Sequence, residues 1–193
     1  MVRWQPGARQ RLQAAALDLY VSRGFEQTTA AEIAESVGLT ERTFFRYFTD
    51  KREVLFDGQD LLQQAFLDGL AGAPADAPPL AKIASALETS AAFFPDERRG
   101  YSRLRQAVIE THSALREREL LKLASLATAI AAALRAGGTP DPAATLAAKT
   151  GVMVFTVAFE QWIADGEDRP LGEMEHQVMR EMAAIAAGVP VGP

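Results

Sequence analysis

Between Thr28 and Phe48 the chain reads TTAAEIAESVGLTERTFFRYF, and the spacing of these residues leaves little choice of fold. Thr29 and Glu32 stand three apart. At that spacing a threonine hydroxyl meets the free amides of a helix start and a glutamate reaches back to the cap. A short helix therefore starts here, with Ile33, Ala34 and Val37 on its inner face. Gly38 breaks it, and Thr40 caps a following helix in which Phe44 and Phe48, four apart, turn inward. Arg42, Phe45, Arg46 and Tyr47 lie on its other faces. Two short helices joined at a glycine make a helix-turn-helix.

The remainder is read as all-α, about nine helices in total, because no run alternates with period two and Ala is abundant throughout. Leu12, Ala15, Ala16 and Leu19 give a first helix its stripe, and Gly24 stops it, with Phe25 folding back as the apolar contact. Asp50 caps a fourth helix whose stripe, Val54, Leu55, Leu61, Leu62, Phe66 and Leu70, runs on to the turn AGAPADAPP at 71–79. Further helices are expected at about 80–94, 98–111, 114–136, 143–164 and 171–187, followed by a loose tail, GVPVGP. This divides the chain into a helix-turn-helix domain at 1–50 and a larger helical domain at 51–193.

Charge is unevenly spread. Up to residue 57 the basic residues Arg3, Arg9, Arg11, Arg23, Arg42, Arg46, Lys51 and Arg52 balance as many acidic ones, so the formal charge of -5 belongs wholly to the rest. A polyanion meets a local patch rather than a total. The chain has no Cys, which rules out disulfides and thiolate chemistry and suits a cytoplasmic location. No stretch reads as the ~20 apolar residues that span a bilayer. Two His, no Gly-rich phosphate loop and no G-x-S-x-G elbow leave the usual catalytic constellations incomplete, so no enzyme and no cofactor are expected. Glu173 and His176 share the Glu-x-x-His spacing of di-iron bundles, but there is no second copy and no metal is expected.

The order of elements over Gln10–Leu62, with TTAAEIAESVGLTERTFFRYFTDKREVLF at its heart, resembles the TetR family of bacterial transcriptional regulators. The resemblance implies a homodimer on a pseudo-palindromic DNA operator, usually a repressor, released when a small molecule enters the larger domain. A helix in the major groove reads bases through its N-terminal residues. Glu41, Arg42 and Thr43 occupy that place, next to Thr40. Thr29, Tyr47 and Lys51 match family positions that hold phosphates, and Arg46 is placed with them. Phe45 stands where the family more often carries Tyr, so its contact is van der Waals only. Arg3 and Arg9 are expected as an arm ahead of the first helix.

The family also implies that the last two long helices form the dimer seam, here about 143–164 and 171–187. For the effector pocket the candidates are Phe66, Tyr101, Arg105, His112, Met153 and Phe159. Effector binding is expected to swing the helix from about Asp50 to Leu70 and change the spacing of the two reading helices. The alternative is a helical small-molecule binding or carrier protein whose helix-turn-helix does not bind DNA. Its discriminating observation is a lack of DNA phenotype on mutating Arg42.

Overall fold

A computed structural model describes residues 7–188 of the chain. The Arg3 arm and the last five residues of the tail lie outside the described residues. Within them the secondary structure is helical throughout: α1 (Ala8–Arg23), α2 (Ala30–Ser36), α3 (Glu41–Tyr47), a 3-10 turn (Glu53–Phe56), α4 (Gln59–Gly72), α5 (Pro79–Ala91), a second 3-10 turn (Asp96–Arg98), α6 (Arg99–Glu110), α7 (Ser113–Ala136), α8 (Ala143–Trp162) and α9 (Leu171–Ala187). The chain forms two compact units, one of residues 1–59 with 103–120 and one of 60–102 with 121–193. The end of α6 and the start of α7 thus belong with the N-terminal helices.

In the first unit, Leu12, Ala16, Leu17 and Tyr20 of α1 are buried with Ile33, Ala34, Phe44 and Phe48. The inner face of α1 is therefore turned from the expected stripe, with Ala15 and Leu19 only half-buried. Gly38, at φ 70°, makes the turn between α2 and α3. Arg9 is not part of an arm. It lies inside α1, where its Nε donates to both oxygens of Asp57 at 2.8 and 2.9 Å.

The single helix expected from Asp50 to Leu70 is broken in two. Asp50 does cap, its Oδ1 accepting from the amides of Arg52 and Glu53 at 2.7 and 3.2 Å, but what it caps is the 3-10 turn. Gly58 then takes φ 88°, a left-handed conformation that ends the turn before α4 starts. The break explains Leu61, expected on the inner stripe but 66% exposed, because the phase of the helix is reset after the glycine.

The second unit has one continuous core of α4, α5, α7, α8 and α9, which includes Phe66, Ile83, Leu87, Leu126, Ile130, Phe155 and Trp162. α8 packs on both α5 and α9. Contrary to the sequence expectation, α8 is long and apolar enough to cross a membrane by length and composition. Its buried face, from Ala144 through Gly151 and Phe155 to Trp162, is that of a core helix.

Candidate nucleic-acid interface and ligand core

The position of α3 is set by its own sequence and that of α2. Thr29 and Glu32 close the box at the start of α2. The Thr29 amide donates to Glu32 Oε2 at 2.8 Å, and the Glu32 amide donates to the Thr29 hydroxyl at 3.2 Å. The bonds that the Thr29 amide and the Thr29 hydroxyl, also at 2.8 Å, donate to Glu32 Oε2 hold the Glu32 carboxyl below the usual carboxylate range. Thr40 repeats the cap on α3, accepting from the Thr43 amide at 3.2 Å, with the two hydroxyls 3.0 Å apart. Phe44 is fully buried and Phe48 nearly so, which pins α3 by one side only.

The other side of α3 is open. Glu41, Arg42, Phe45 and Arg46 are exposed, and Thr43 and Tyr47 are half-buried. Among the described residues Arg42 has no hydrogen bond, ion pair or ring contact, so its fork is available to a base edge. Arg46 leans on Tyr47, donating to its hydroxyl at 3.1 Å, with the guanidinium 5.0 Å from the ring centre. Thr29, Thr40, Glu41, Arg42, Thr43, Phe45, Arg46 and Tyr47 are thus brought onto two adjoining short helices.

Lys51 is different. Its ammonium turns inward, donating to the carbonyls of Phe25 and Thr28 at 2.8 and 3.0 Å. The Tyr20 hydroxyl donates to the Lys51 carbonyl at 2.6 Å, and burial, then the nearby Asp50 charge, pushes the Tyr20 phenol well above its ordinary range. The residue ties the exit of α3 to the α1–α2 loop, a sufficient reason for a lysine there. The 3-10 turn is clamped in turn. Arg105 Nε donates to the Leu55 carbonyl at 2.6 Å and lies 5.2 Å from the Phe56 ring, and Arg118 Nε donates to Glu53 at 2.6 Å.

The six residues expected to line a pocket do not gather. Arg105 and His112 belong to the first unit, Arg105 in the clamp and His112 beside Phe25, 5.2 Å between ring centres, with Nδ1 3.9 Å from Glu26. In the second unit Phe66 is fully buried and Tyr101 half-buried, whereas Met153 is 47% exposed on the outer face of α8. Phe66 and Phe159 share one neighbour, Phe155, at 5.7 and 5.8 Å. Phe94 completes the group at 5.7 Å from Phe155, 5.3 Å from Phe159 and 5.9 Å from Trp162. Separately, a groove of about 380 Å³ runs along α7 and α8 past Leu123, Ala127, Ala131, Lys149 and Val152. None of the six lines it. Among the described residues no three potential metal ligands come together, and Glu173 and His176 are both exposed.

Comparison with known families matches residues 12–57 to the model described as bacterial regulatory proteins, tetR family, and residues 77–187 to the MftR C-terminal domain. The chain belongs to the TetR family. The HTH-type transcriptional regulator TcmR of Streptomyces glaucescens is 39% identical over 89 residues, a stretch that spans 42% of this chain and 39% of TcmR. Among solved structures, the Thermus thermophilus repressor FadR in complex with lauroyl-CoA superposes with a TM-score of 0.55 at 23% identity, covering 96% of this chain and 97% of that one. Bacillus subtilis FadR in complex with stearoyl-CoA gives 0.60 at 15% identity over 89% and 95%. At these identities the likeness to FadR is one of fold.

Within this TetR-family chain two structural features differ from what the sequence leads one to expect. The Arg105 and Arg118 clamp has no local signal, since its partners lie 50 and 65 residues away. Glu175 does have one. Leu171, Met174 and Val178 are apolar at helical spacing, and Glu175, four after Leu171, falls on the same buried face. It is 2% exposed, and neither carboxylate oxygen has a hydrogen-bond partner.

Proposed function

We propose that this TetR-family regulator is a homodimeric, sequence-specific DNA-binding repressor that leaves a pseudo-palindromic operator when a small molecule enters its second unit. The observation that carries the reading is the division of α3, with Phe44 and Phe48 locked in the core while Arg42, Phe45 and Arg46 stand exposed on the open side. In this reading Glu41, Arg42 and Thr43 meet base edges, and Thr29, Thr40, Arg46 and Tyr47 meet the phosphate backbone, with Phe45 in van der Waals contact. Lys51 supports the interface from inside.

The seam between subunits is assigned to α8 and α9. Leu146, Met153 and Val157 form an exposed apolar stripe on α8, and Ile185 of α9 is 75% exposed, surface that a monomer has no reason to leave to water. The two reading helices then enter major grooves about 34 Å apart or a small multiple of it. The chain passes between the two units near Gln59, Ser102 and Leu120, the last two crossings inside α6 and α7. Effector-driven shifts of these helices reach the Arg105 and Arg118 clamp directly, replacing the rigid swing of one helix from Asp50 to Leu70.

Selection of bound duplexes from a random pool at fixed near-physiological salt tests the reading. An inverted repeat with regular half-site spacing is the expected product. Purely salt-sensitive, sequence-blind binding by the ligand-free protein would overturn it.

A further inference from the structure

We propose that Glu175 anchors the amine of a small, ring-bearing cationic effector whose apolar body lies against Phe94, Phe155, Phe159 and Trp162. The inference rests on the reading of the second unit as the effector-binding part of the molecule. The fold buries the Glu175 carboxyl and leaves it without a hydrogen-bond partner. α9 packs on α8 and α5. The ionisable residues of those helices are Lys82 and Glu88 on α5, and Lys149 and Glu160 on α8, while Glu173, His176, Arg180 and Glu181 of α9 itself are all exposed. The Lys82 ammonium is used on the Ala75 carbonyl at 2.8 Å, and Glu88, Lys149 and Glu160 are exposed. Among the described residues no cation is hydrogen-bonded to the Glu175 carboxyl.

A buried, unpaired carboxyl is a cost that a leucine at the same position would avoid. A partner arriving from outside the chain accounts for it. The surroundings indicate the chemistry of that partner. Met174 and Val178, on either side of Glu175, belong to the same core as Phe66, Phe155 and Trp162, and Phe94 and Phe159 pack against that core while remaining partly exposed. Aromatic faces attract cations. The Arg99 guanidinium already stands 5.2 Å from the Trp162 ring centre and that of Arg98 4.5 Å from Phe93. A flat apolar body with an ammonium group satisfies both the rings and the acid.

Burial alone pushes the Glu175 carboxyl up to about 8, so at neutral pH it is mostly protonated before the ligand arrives. As the ammonium approaches, the carboxyl releases its proton to water and the carboxylate pairs with the cation. One positive charge enters and one leaves. Affinity for the amine therefore rises with pH up to the region of that value.

The test uses three probes of one shape, naphthylmethylamine, naphthylmethanol and naphthoate, bound to the full-length DNA-free protein and followed by calorimetry and by quenching of tryptophan emission. The amine is expected to bind at least about tenfold tighter than the other two. Its affinity should rise by up to about tenfold per pH unit between roughly pH 6 and 8. Glu175→Gln should remove at least about tenfold of the amine affinity together with its pH dependence, leaving the alcohol within about twofold. Tightest binding of naphthoate, or amine binding unchanged in Glu175→Gln, overturns the proposal. The three-probe comparison on the natural chain decides it even if the variant does not fold. Binding of the selected operator is measured on the same samples. Operator binding without an amine preference defeats the effector class alone, whereas no operator binding by either protein defeats the regulator reading.

Discussion

The ammonium of Lys51 donates to the Phe25 carbonyl at 2.8 Å and stands 4.3 Å from the centre of the same residue's ring. One residue beyond the reach of local sequence patterns thus closes the helix-turn-helix domain, joining the strand of chain that leaves α3 to the loop between α1 and α2. A lysine beside a DNA-reading helix invites assignment to phosphate, yet here its donors are directed at carbonyls inside the protein.

Lys51→Ala is accordingly expected to destabilise the first unit. Hydrogen bonds from a charged donor contribute about 1.5 to 3 kcal/mol each at most, and a part-buried anchor of this kind should cost on the order of 2 kcal/mol in urea unfolding. A phosphate contact predicts something else, unchanged stability with a lower salt slope of DNA binding. Unfolding measured beside a salt titration separates the two.

For Arg42→Ala the expectation is the reverse. The side chain has no partner to lose among the described residues, so stability should stay within about 0.5 kcal/mol. Binding to the selected operator should weaken by about 1 to 3 kcal/mol, with relaxed discrimination at one base position per half-site. Competition binding against every single-base variant of the operator measures this. Uniform weakening across all variants would move Arg42 from bases to backbone.

The helix-turn-helix was legible because its determinants are local. The Thr29–Glu32 box, the Gly38 turn and the Phe44–Phe48 pair each act within four residues, and each lies in the structure where its spacing places it. The break at Gly58 was not. The apolar stripe from Val54 to Leu70 reads as one helix until a single left-handed glycine shifts its phase. Pocket lining was least legible, because side-chain type does not tell a core aromatic from a ligand wall. Arg105 and His112 are polar residues that look suited to a ligand, yet their partners are Leu55, Glu119, Phe25 and Glu26, all brought in by long-range folding.

Packing of α4 on α5 sets up a paired test. A Cβ on Gly69 would stand 2.6 Å from Ala86 Cα and 2.7 Å from the Ser85 carbonyl, which are backbone atoms with nowhere to go. Gly69→Ala should therefore cost about 1 to 3 kcal/mol through forced separation of the two helices. At Gly72, one turn on, the same methyl meets nothing. Gly72→Ala should be neutral or stabilise by up to about 1 kcal/mol from backbone entropy alone. Thermal unfolding of both variants checks the contrast, and equal effects would mean that α4 and α5 do not approach this closely.

Glu175 also makes a statement about stability and pH that needs no ligand. Its carboxyl titrates at about 8 in the folded chain against an ordinary value of 4.5, so between those limits the folded state holds a proton that the unfolded state has lost. Stability contributed at this site is therefore greatest below about pH 4.5, falls as pH rises through the window, and levels off above about 8. Each pKa unit corresponds to about 1.4 kcal/mol, which makes the full effect on the order of a few kcal/mol. Glu175→Gln keeps the shape and removes the titration. The variant should unfold much as the natural chain does near the acid end and become progressively more stable than it towards pH 8. Urea unfolding at several pH values gives the difference directly. A constant difference across the window would mean that the carboxyl reaches water or a cation when the chain is assembled in solution.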